Sequence, residues 1–389
     1  MRHLPEVRLT AKGLRWQRTG HPWLYRDDLA PGMDLPGGEL VTVLDLHGGF
    51  LGRAFYSAKS RIALRFLTYN DEPVDRSFWQ ARLKRALDYR LRVAPGLDAF
   101  RLLYGEADGF PGLIMDHYAG HFVLQALHPG MERVLPEIIG LLKEHFSPLS
   151  ITLRHDSEMR ALEGLPLEVN TVWGDLPPLV KVGEGDIFFL VDIRAGQKTG
   201  LFLDQRENHL AAAAYAQGEV LDCFAYQGGF ALHLARTAQK VTMVESSAPA
   251  LARALENAQI NGLSNLEPVK ENVFGYLKKA VTAARRFDLI VLDPPAFAKS
   301  RREREGAAKG YHEINRRAFQ LLNPGGVLIT CSCSYNLSEP EFLEIVRRAA
   351  ADAHRQARLI ERRSAAKDHP ALLSLPESLY LKCFILEAQ

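Results

Sequence analysis

Two residues in this sequence are best placed to do chemistry, a carboxylate and a thiol, each at the end of an apolar run. Phe287–Leu292 stops at Asp293-Pro294-Pro295, where consecutive prolines end a strand and fix the backbone, so the Asp293 carboxyl is held at the strand's tip. Gly326–Thr330 runs into Cys331-Ser332-Cys333-Ser334. In a regular strand Cys331 and Cys333 share a face, with Cys333 the further out. A buried cysteine is ordinarily an inert small hydrophobe, the role assigned to Cys331. Cys333 is assigned as a nucleophile. A thiolate adds well to carbon 6 of a pyrimidine, and carbon 5 then becomes an enamine-like carbon able to take a methyl group from a sulfonium. A carboxyl near ring nitrogen 3 and the exocyclic amine would stabilise that charge shift in cytosine, which is the role given to Asp293.

A donor site is legible upstream. The strand Glu219–Asp222 leads into Cys223-Phe224-Ala225-Tyr226-Gln227-Gly228-Gly229 and then a helix. Gly228 and Gly229 let backbone N–H groups come close to a ligand at the helix N-terminus, and Asp222 can meet a cation or hydroxyl. The loop lacks the Gly-x-Gly-x-x-Gly spacing, and Phe224 and Tyr226 flank Ala225 where small residues would be needed, so a dinucleotide pyrophosphate would be crowded. An amino-acid-bearing nucleoside without phosphates suits the loop better, with Asp222 toward its ammonium. The next strand ends in Glu245-Ser246, with Glu245 placed for ribose hydroxyls. The third ends before Asn272-Val273; Asn272 reads equally as an adenine-edge contact, with Val273 against the ring, or as a plain helix N-cap.

The elements that must position these groups alternate. Strands at 219–222, 240–245, 266–269, 287–292 and 326–330 are separated by helical periodicity, which predicts a doubly wound, mainly parallel α/β sheet. A last strand near 379–387 has no helix after it and is expected to enter antiparallel. Ligands bind such sheets at the carboxyl ends of the strands, which is where the candidate residues lie. Upstream, residues 1–71 hold short apolar runs broken by Gly, Pro and Asp, with strands at 40–44 and 62–66: a small β-barrel. Residues 72–185 form a central α+β part that opens on a helix expected to bury Phe78, Leu83, Leu87 and Leu91. Residues 186–389 carry the sheet.

The chain has 389 residues and a net charge of +2 from 48 basic and 46 acidic side chains, which excludes a strongly polyionic protein. A local basic face on the barrel, and the segment 299–317 with Lys299, Arg301, Arg302, Arg304, Lys309, Arg316 and Arg317, read as phosphate contacts or as solvated faces. If they contact phosphate, affinity for a nucleic acid falls steeply with salt. No apolar run approaches the ~20 residues of a membrane span, and the N-terminus lacks a signal-like stretch. Four cysteines are too few for a disulfide scaffold, so a reducing, cytoplasmic setting is expected. His117, His121, His128, His145 and His155 lack ligand spacing, and no metal is expected. The oligomeric state is open between monomer and homodimer.

Several segments together resemble the large-subunit ribosomal RNA methyltransferase I family: Lys198-Thr199-Gly200 with Asp204-Gln205-Arg206 and Asn208, Phe224 to Phe230, Asp293 to Lys299, Gly310-Tyr311, Ser332-Cys333-Ser334 and Asp368-His369-Pro370. Gly20-His21-Pro22-Trp23 and the basic barrel are similar to that family's N-terminal PUA domain. The resemblance implies a PUA-like barrel, a small central α+β domain and a Rossmann-like class I methyltransferase domain. It implies an S-adenosylmethionine-dependent enzyme making 5-methylcytosine in 23S rRNA, naked or in an assembly intermediate, with Cys333 as nucleophile. It also implies that Asp204, Gln205 and Arg206, together with the 222–229 loop, Glu245, Ser246, Asn272, Val273 and Asp293, line the cofactor site. Many related RNA cytosine-5 methyltransferases carry a second cysteine after the second proline, where this chain has Ala296. Two other readings compete: an RNA N-methyltransferase acting on an exocyclic amine, and a non-catalytic RNA-binding ribosome-assembly factor. The first normally places an aromatic residue where Ala296 stands; the second gives Cys333 and Asp293 no task.

Overall fold

The computed structural model describes residues 4–32, 34–297 and 303–389, which fall into two compact units. One holds the chain to Val182 with Val191–Leu201 and Lys367–Ser378; the other holds Gly183–Leu190, Phe202–Ala366 and Leu379–Gln389.

The first unit contains two five-stranded sheets. β1 (Glu6–Arg8), β2 (Trp23–Tyr25), β3 (Leu40–Leu44), β4 (Phe50–Tyr56) and β5 (Ile62–Thr68) lie in the order β1-β3-β4-β5-β2, with α1 (Ala11–Gln17) capped by Thr10. Alternation puts Val41, Val43, Ala54, Tyr56, Leu64 and Phe66 into one core. After α2 (Arg76–Val93) come β6 (Ala99–Tyr104), β7 (Leu113–Tyr118), β8 (His121–Ala126), α3 (Pro129–Phe146), β9 (Ser150–His155), α4 (Glu158–Glu163) and β10 (Glu168–Gly174), with sheet order β10-β9-β8-β7-β6. The face of α2 departs from expectation. Leu91 is 60% exposed, whereas Arg90 is buried, its Nη2 donating to Asp108 Oδ2 over 2.7 Å. The buried line Trp79, Leu83, Ala86 and Arg90 follows helical spacing, and the ion pair lets Arg90 occupy an inner position.

β11 (Val180–Glu184) and β12 (Ile187–Val191) form a two-stranded sheet. The second unit then runs through α5 (Arg206–Ala213), β13 (Glu219–Cys223), α6 (Gly229–Leu234), β14 (Lys240–Glu245), α7 (Ala248–Ile260), β15 (Leu266–Lys270) and α8 (Val273–Thr282). It continues with β16 (Phe287–Leu292), α9 (Arg304–Leu321), β17 (Leu322–Ser332), α10 (Glu339–Asp352), β18 (Ala357–Arg363) and β19 (Lys382–Ala388). The sheet order is β15-β14-β13-β16-β17-β19-β18. β13 to β17 are parallel, and β19 enters antiparallel between β17 and β18, as expected for a strand with no helix after it.

The central parallel strands β13, β16 and β17 are largely apolar because both faces are covered. Leu221, Ile290, Leu292 and Leu328 join one core with α8, α9 and α10, while Val220, Leu289, Val291, Ile329 and Cys331 join the other with Phe230, Leu234 and Leu251. Strand order reverses at β13, which has β14 on one side and β16 on the other, the point at which such sheets bind ligands beyond the strand ends.

Candidate cofactor and catalytic site

The loop after β13 is bent by side chains that rarely accept such a bend. Phe224 and Tyr226 have φ of 64° and 47°, in the left-handed region normally left to glycine, at a cost of about 1–3 kcal/mol each. The loop is held by the N–H groups of Phe224 and Ala225, which both donate to Val244 O (2.9 and 3.3 Å), and by Phe202, whose ring meets Tyr226 edge-on at 5.2 Å. Gly228, with φ 86°, caps α6. A Cβ on Gly229 would lie 2.7 Å from the His209 ring, so only glycine fits there.

Three carboxylates converge on this loop. Asp222 is 1% exposed; its Oδ2 accepts from Ala231 N at 3.0 Å, and among the described residues its buried Oδ1 has no partner. Burial, with Asp293 and Glu245 nearby, pushes the Asp222 carboxyl well above the usual range. Glu245 Oε2 accepts from Tyr226 N (3.2 Å), and Oε1 from Ser247 N (2.8 Å) and the exposed Ser246 hydroxyl (3.1 Å). A buried carboxylate oxygen without a donor, beside two more carboxylates, fits a ligand that brings positive charge. S-adenosylmethionine carries both a sulfonium and an ammonium.

Asn272 is the N-cap of α8, its Oδ1 accepting from Phe274 N (3.0 Å) and Gly275 N (3.4 Å). Val273 joins the hydrophobic core at 3% exposure. Asp204, Gln205 and Arg206 are all buried. Asp204 accepts from the Tyr380 hydroxyl through Oδ2 and from Ala366 N (2.8 Å) through its backbone carbonyl. Gln205 turns to Asp293, donating Nε2 to Oδ1 at 2.8 Å. Asn208 Nδ2 fixes that amide by donating to Gln205 Oε1 (2.6 Å), and Arg363 Nε in turn donates to Asn208 Oδ1 (3.0 Å). No sequence signal singled out Arg363 or Tyr380.

Asp293 and Cys333 sit at the tips of adjacent strands, β16 and β17. Cys223, Cys331 and Cys383 are all buried; Cys333 alone of the four is partly exposed. Burial raises the Cys223 thiol, and burial with its neighbour Cys383 raises Cys331, so both stay protonated, as expected of packing cysteines. Cys333 Sγ lies 3.8 Å from Pro294 O. Tyr311 straddles the tip: its hydroxyl meets Ser332 Oγ (3.0 Å) and Ser334 Oγ (2.9 Å), one on each side of Cys333. Phe297 is spent on an aromatic cluster with Tyr311 (4.7 Å), Phe274 (5.9 Å) and Phe224 (6.3 Å).

The candidate phosphate contacts divide. Lys299, Arg301 and Arg302 lie outside the described residues. Arg304 pairs with Glu341, Arg316 and Arg317 pair with Glu313, and Lys309 is exposed. Arg8 on β1 and Arg15 and Arg18 along α1 and its end are exposed, and an open depression of about 360 Å³ is lined by Lys12, Arg15, Trp16, Thr19, Tyr25 and Asp28.

Among the described residues two groups have metal-ligand composition, and hydrogen bonding accounts for the first. His209 Nδ1 and His233 Nε2 both approach the same oxygen, Glu184 Oε1 (2.7 and 3.0 Å), as two donors on one acceptor do. His155 Nε2 accepts from Ala126 N, which leaves the proton on Nδ1, 3.9 Å from each of Glu132 and Glu168.

Comparison with known proteins agrees with this architecture. Residues 7–69 match the PUA-like domain family, and residues 124–374 match the S-adenosylmethionine-dependent methyltransferase family. Two solved structures share the fold over 99% of this chain and 100% of theirs, each at 21% identity. One, a methyltransferase candidate complexed with SAH, has a TM-score of 0.86; the other, a candidate S-adenosylmethionine-dependent methyltransferase from Streptococcus mutans, 0.84. The fold and site therefore define an S-adenosylmethionine-dependent methyltransferase with an N-terminal PUA-like domain. The proteins named ribosomal RNA large subunit methyltransferase I from Klebsiella pneumoniae and Aeromonas hydrophila are 42% and 41% identical to this chain, over 94% and 95% of its length and 93% and 96% of theirs. This chain belongs to the ribosomal RNA large subunit methyltransferase I family.

Proposed function

We propose that this enzyme methylates carbon 5 of a cytosine in 23S rRNA, in the cytoplasm, through a transient bond between Cys333 and carbon 6. S-adenosylmethionine, when bound, supplies an electrophilic methyl group. Asp222 and Glu245 are the groups for its ammonium and ribose hydroxyls, the 224–229 loop for its amino-acid end, and the Asn272 amide for its base. On the protein side, Cys333 Sγ adds to carbon 6, and the π electrons move toward carbon 5. Asp293, oriented by Gln205, meets ring nitrogen 3 and the exocyclic amine and stabilises the charge they acquire. After methylation, loss of the carbon 5 proton and departure of Sγ restore the ring. The base must leave its stack to reach the thiol, and the exposed arginines around α1 suit the RNA backbone.

The observation that carries this reading is the position of Cys333, the accessible cysteine, at a strand tip beside Asp293-Pro294. Methylation of an exocyclic amine is less well supported, because the aromatic residue nearest the Asp-Pro-Pro turn, Phe297, is held in an internal cluster. Nucleoside digestion of rRNA methylated by the wild type should yield 5-methylcytidine, and the Cys333→Ala protein should yield none. An N-methylated nucleoside, or full activity of Cys333→Ala, would overturn the proposal. Failure of the wild type to label any rRNA would favour an assembly factor.

A further inference from the structure

We infer that Lys382 is a counter-charge that favours Cys333 as a thiolate, a positioning residue for the covalent step proposed above, on which this inference rests. Two described neighbours of the thiol favour its protonated form. Its sulfur faces the carbonyl of Pro294 at 3.8 Å, an acceptor that stabilises S–H and not S⁻. Asp293 stands on the adjacent strand tip, and the Tyr311 hydroxyl is kept neutral by burial. A cation beside such a cysteine lowers its pKa and favours the thiolate.

β19 supplies it. The antiparallel register sets Lys382 directly opposite Ser332, and its Nζ donates to Ser334 O at 2.7 Å, so the lysine brackets Cys333 from the residue before to the residue after. A second bond, to Tyr380 O at 2.7 Å, completes the clamp. Both partners are neutral carbonyls, and among the described residues no carboxylate hydrogen-bonds this ammonium. The side chain is only 4% exposed. A buried ammonium without an acid partner is costly unless an anion forms nearby. Burial lowers Lys382 to about 8, while Cys333, Glu339 and Glu341 act to raise it. In the proposed step the Cys333 proton passes to solvent and the thiolate pair forms the Sγ–C6 bond. Sγ leaves with that pair after carbon 5 loses its proton, and Lys382 stays protonated throughout.

The test follows alkylation of the full-length chain by iodoacetamide against pH, read at Cys333 by mass spectrometry. The other three cysteines are buried, and no RNA is needed. In the wild type the midpoint should lie below the ordinary thiol value of about 8.5. Lys382→Met should raise it by about one unit or more, about tenfold slower labelling near neutrality, and Lys382→Arg should restore it. S-adenosylmethionine affinity, unchanged in both variants, verifies that they fold. A wild-type midpoint at or above the ordinary value, or superimposable wild-type and Lys382→Met curves, would overturn the inference even if Cys333→Ala is inactive. A fully active Cys333→Ala would instead remove the reading beneath it, whatever the curves show.

Discussion

The side-chain amide of Gln205 donates to Asp293 Oδ1 across 2.8 Å, joining residues 88 positions apart, and Asn208 and Arg363 extend the chain behind it. Asp293 is therefore aimed by a relay from α5 and β18 as well as by the prolines that follow it. Gln205→Ala removes the aim and leaves the carboxylate in place. We expect kcat to fall about tenfold, as for a lost hydrogen bond worth ~1.5 kcal/mol to a charged group. S-adenosylmethionine affinity should be little changed. Equal losses in cofactor affinity and in kcat would mean that Gln205 lines the cofactor site directly.

The buried Asp222 carboxyl gives cofactor binding a pH dependence. Its pKa is raised in the free protein by burial and by the Asp293 and Glu245 charges. A positively charged ligand favours the ionised form, so binding releases a proton and affinity should rise with pH until Asp222 is ionised in the free enzyme, by at most about tenfold per unit. Calorimetry in buffers of different ionisation enthalpy measures that proton. Asp222→Asn should abolish the release and flatten the profile.

Glu184, His209 and His233 form a clasp between β11, α5 and α6. Burial alone would raise the Glu184 carboxyl, but the two imidazoles outweigh it and hold it at about 2. A depressed folded-state pKa contributes stability above the unfolded value, near 4.5, that is lost as pH falls from there toward 2. Glu184→Gln should cost on the order of 3 kcal/mol near neutrality, with the difference from wild type shrinking through that acid range. Urea unfolding at several pH values checks this; a difference independent of pH would mean that packing, not charge, is what the clasp provides.

Tyr311 holds Ser332 and Ser334 on either side of Cys333. Tyr311→Phe keeps the ring in its aromatic cluster and removes both bonds. Stability should drop by about 1–2 kcal/mol. Methyl transfer should drop further than that loss explains, because the strand tip is no longer fixed. Unaltered turnover in a destabilised protein would limit Tyr311 to packing.

The parts of this molecule legible in the sequence are those written locally. Short runs that end at Asp222, Glu245 and Asp293 mark β13, β14 and β16, and Asp293-Pro294-Pro295 and Ser332-Cys333-Ser334 mark the tips of β16 and β17. Asn272 could be read as a cap because capping spans three residues. The relay to Asp293 and the approach of Lys382 to Ser334 join positions far apart, and no spacing rule reaches them. β18, Ala357–Arg363, escaped because an edge strand needs one paired neighbour and little apolar surface, so Arg-Leu-Ile-Glu-Arg-Arg resembles a solvated segment. The buried Arg90 and exposed Leu91 exchanged their expected places because an ion pair with Asp108 outweighed hydrophobic pattern. The left-handed Phe224 and Tyr226 oppose propensity outright, as strained residues at ligand-binding loops do.

The central claim is a covalent bond from one sulfur to one ring carbon. The most direct measurement incubates the protein with S-adenosylmethionine and 23S rRNA in which cytidine is replaced by 5-fluorocytidine, whose fluorine cannot leave as a proton does. The account predicts a stable protein–RNA adduct of summed mass, mapped to Cys333 and absent from Cys333→Ala. An adduct that persists in Cys333→Ala, or methyl transfer to unmodified rRNA with no adduct on the fluorinated RNA, would contradict it.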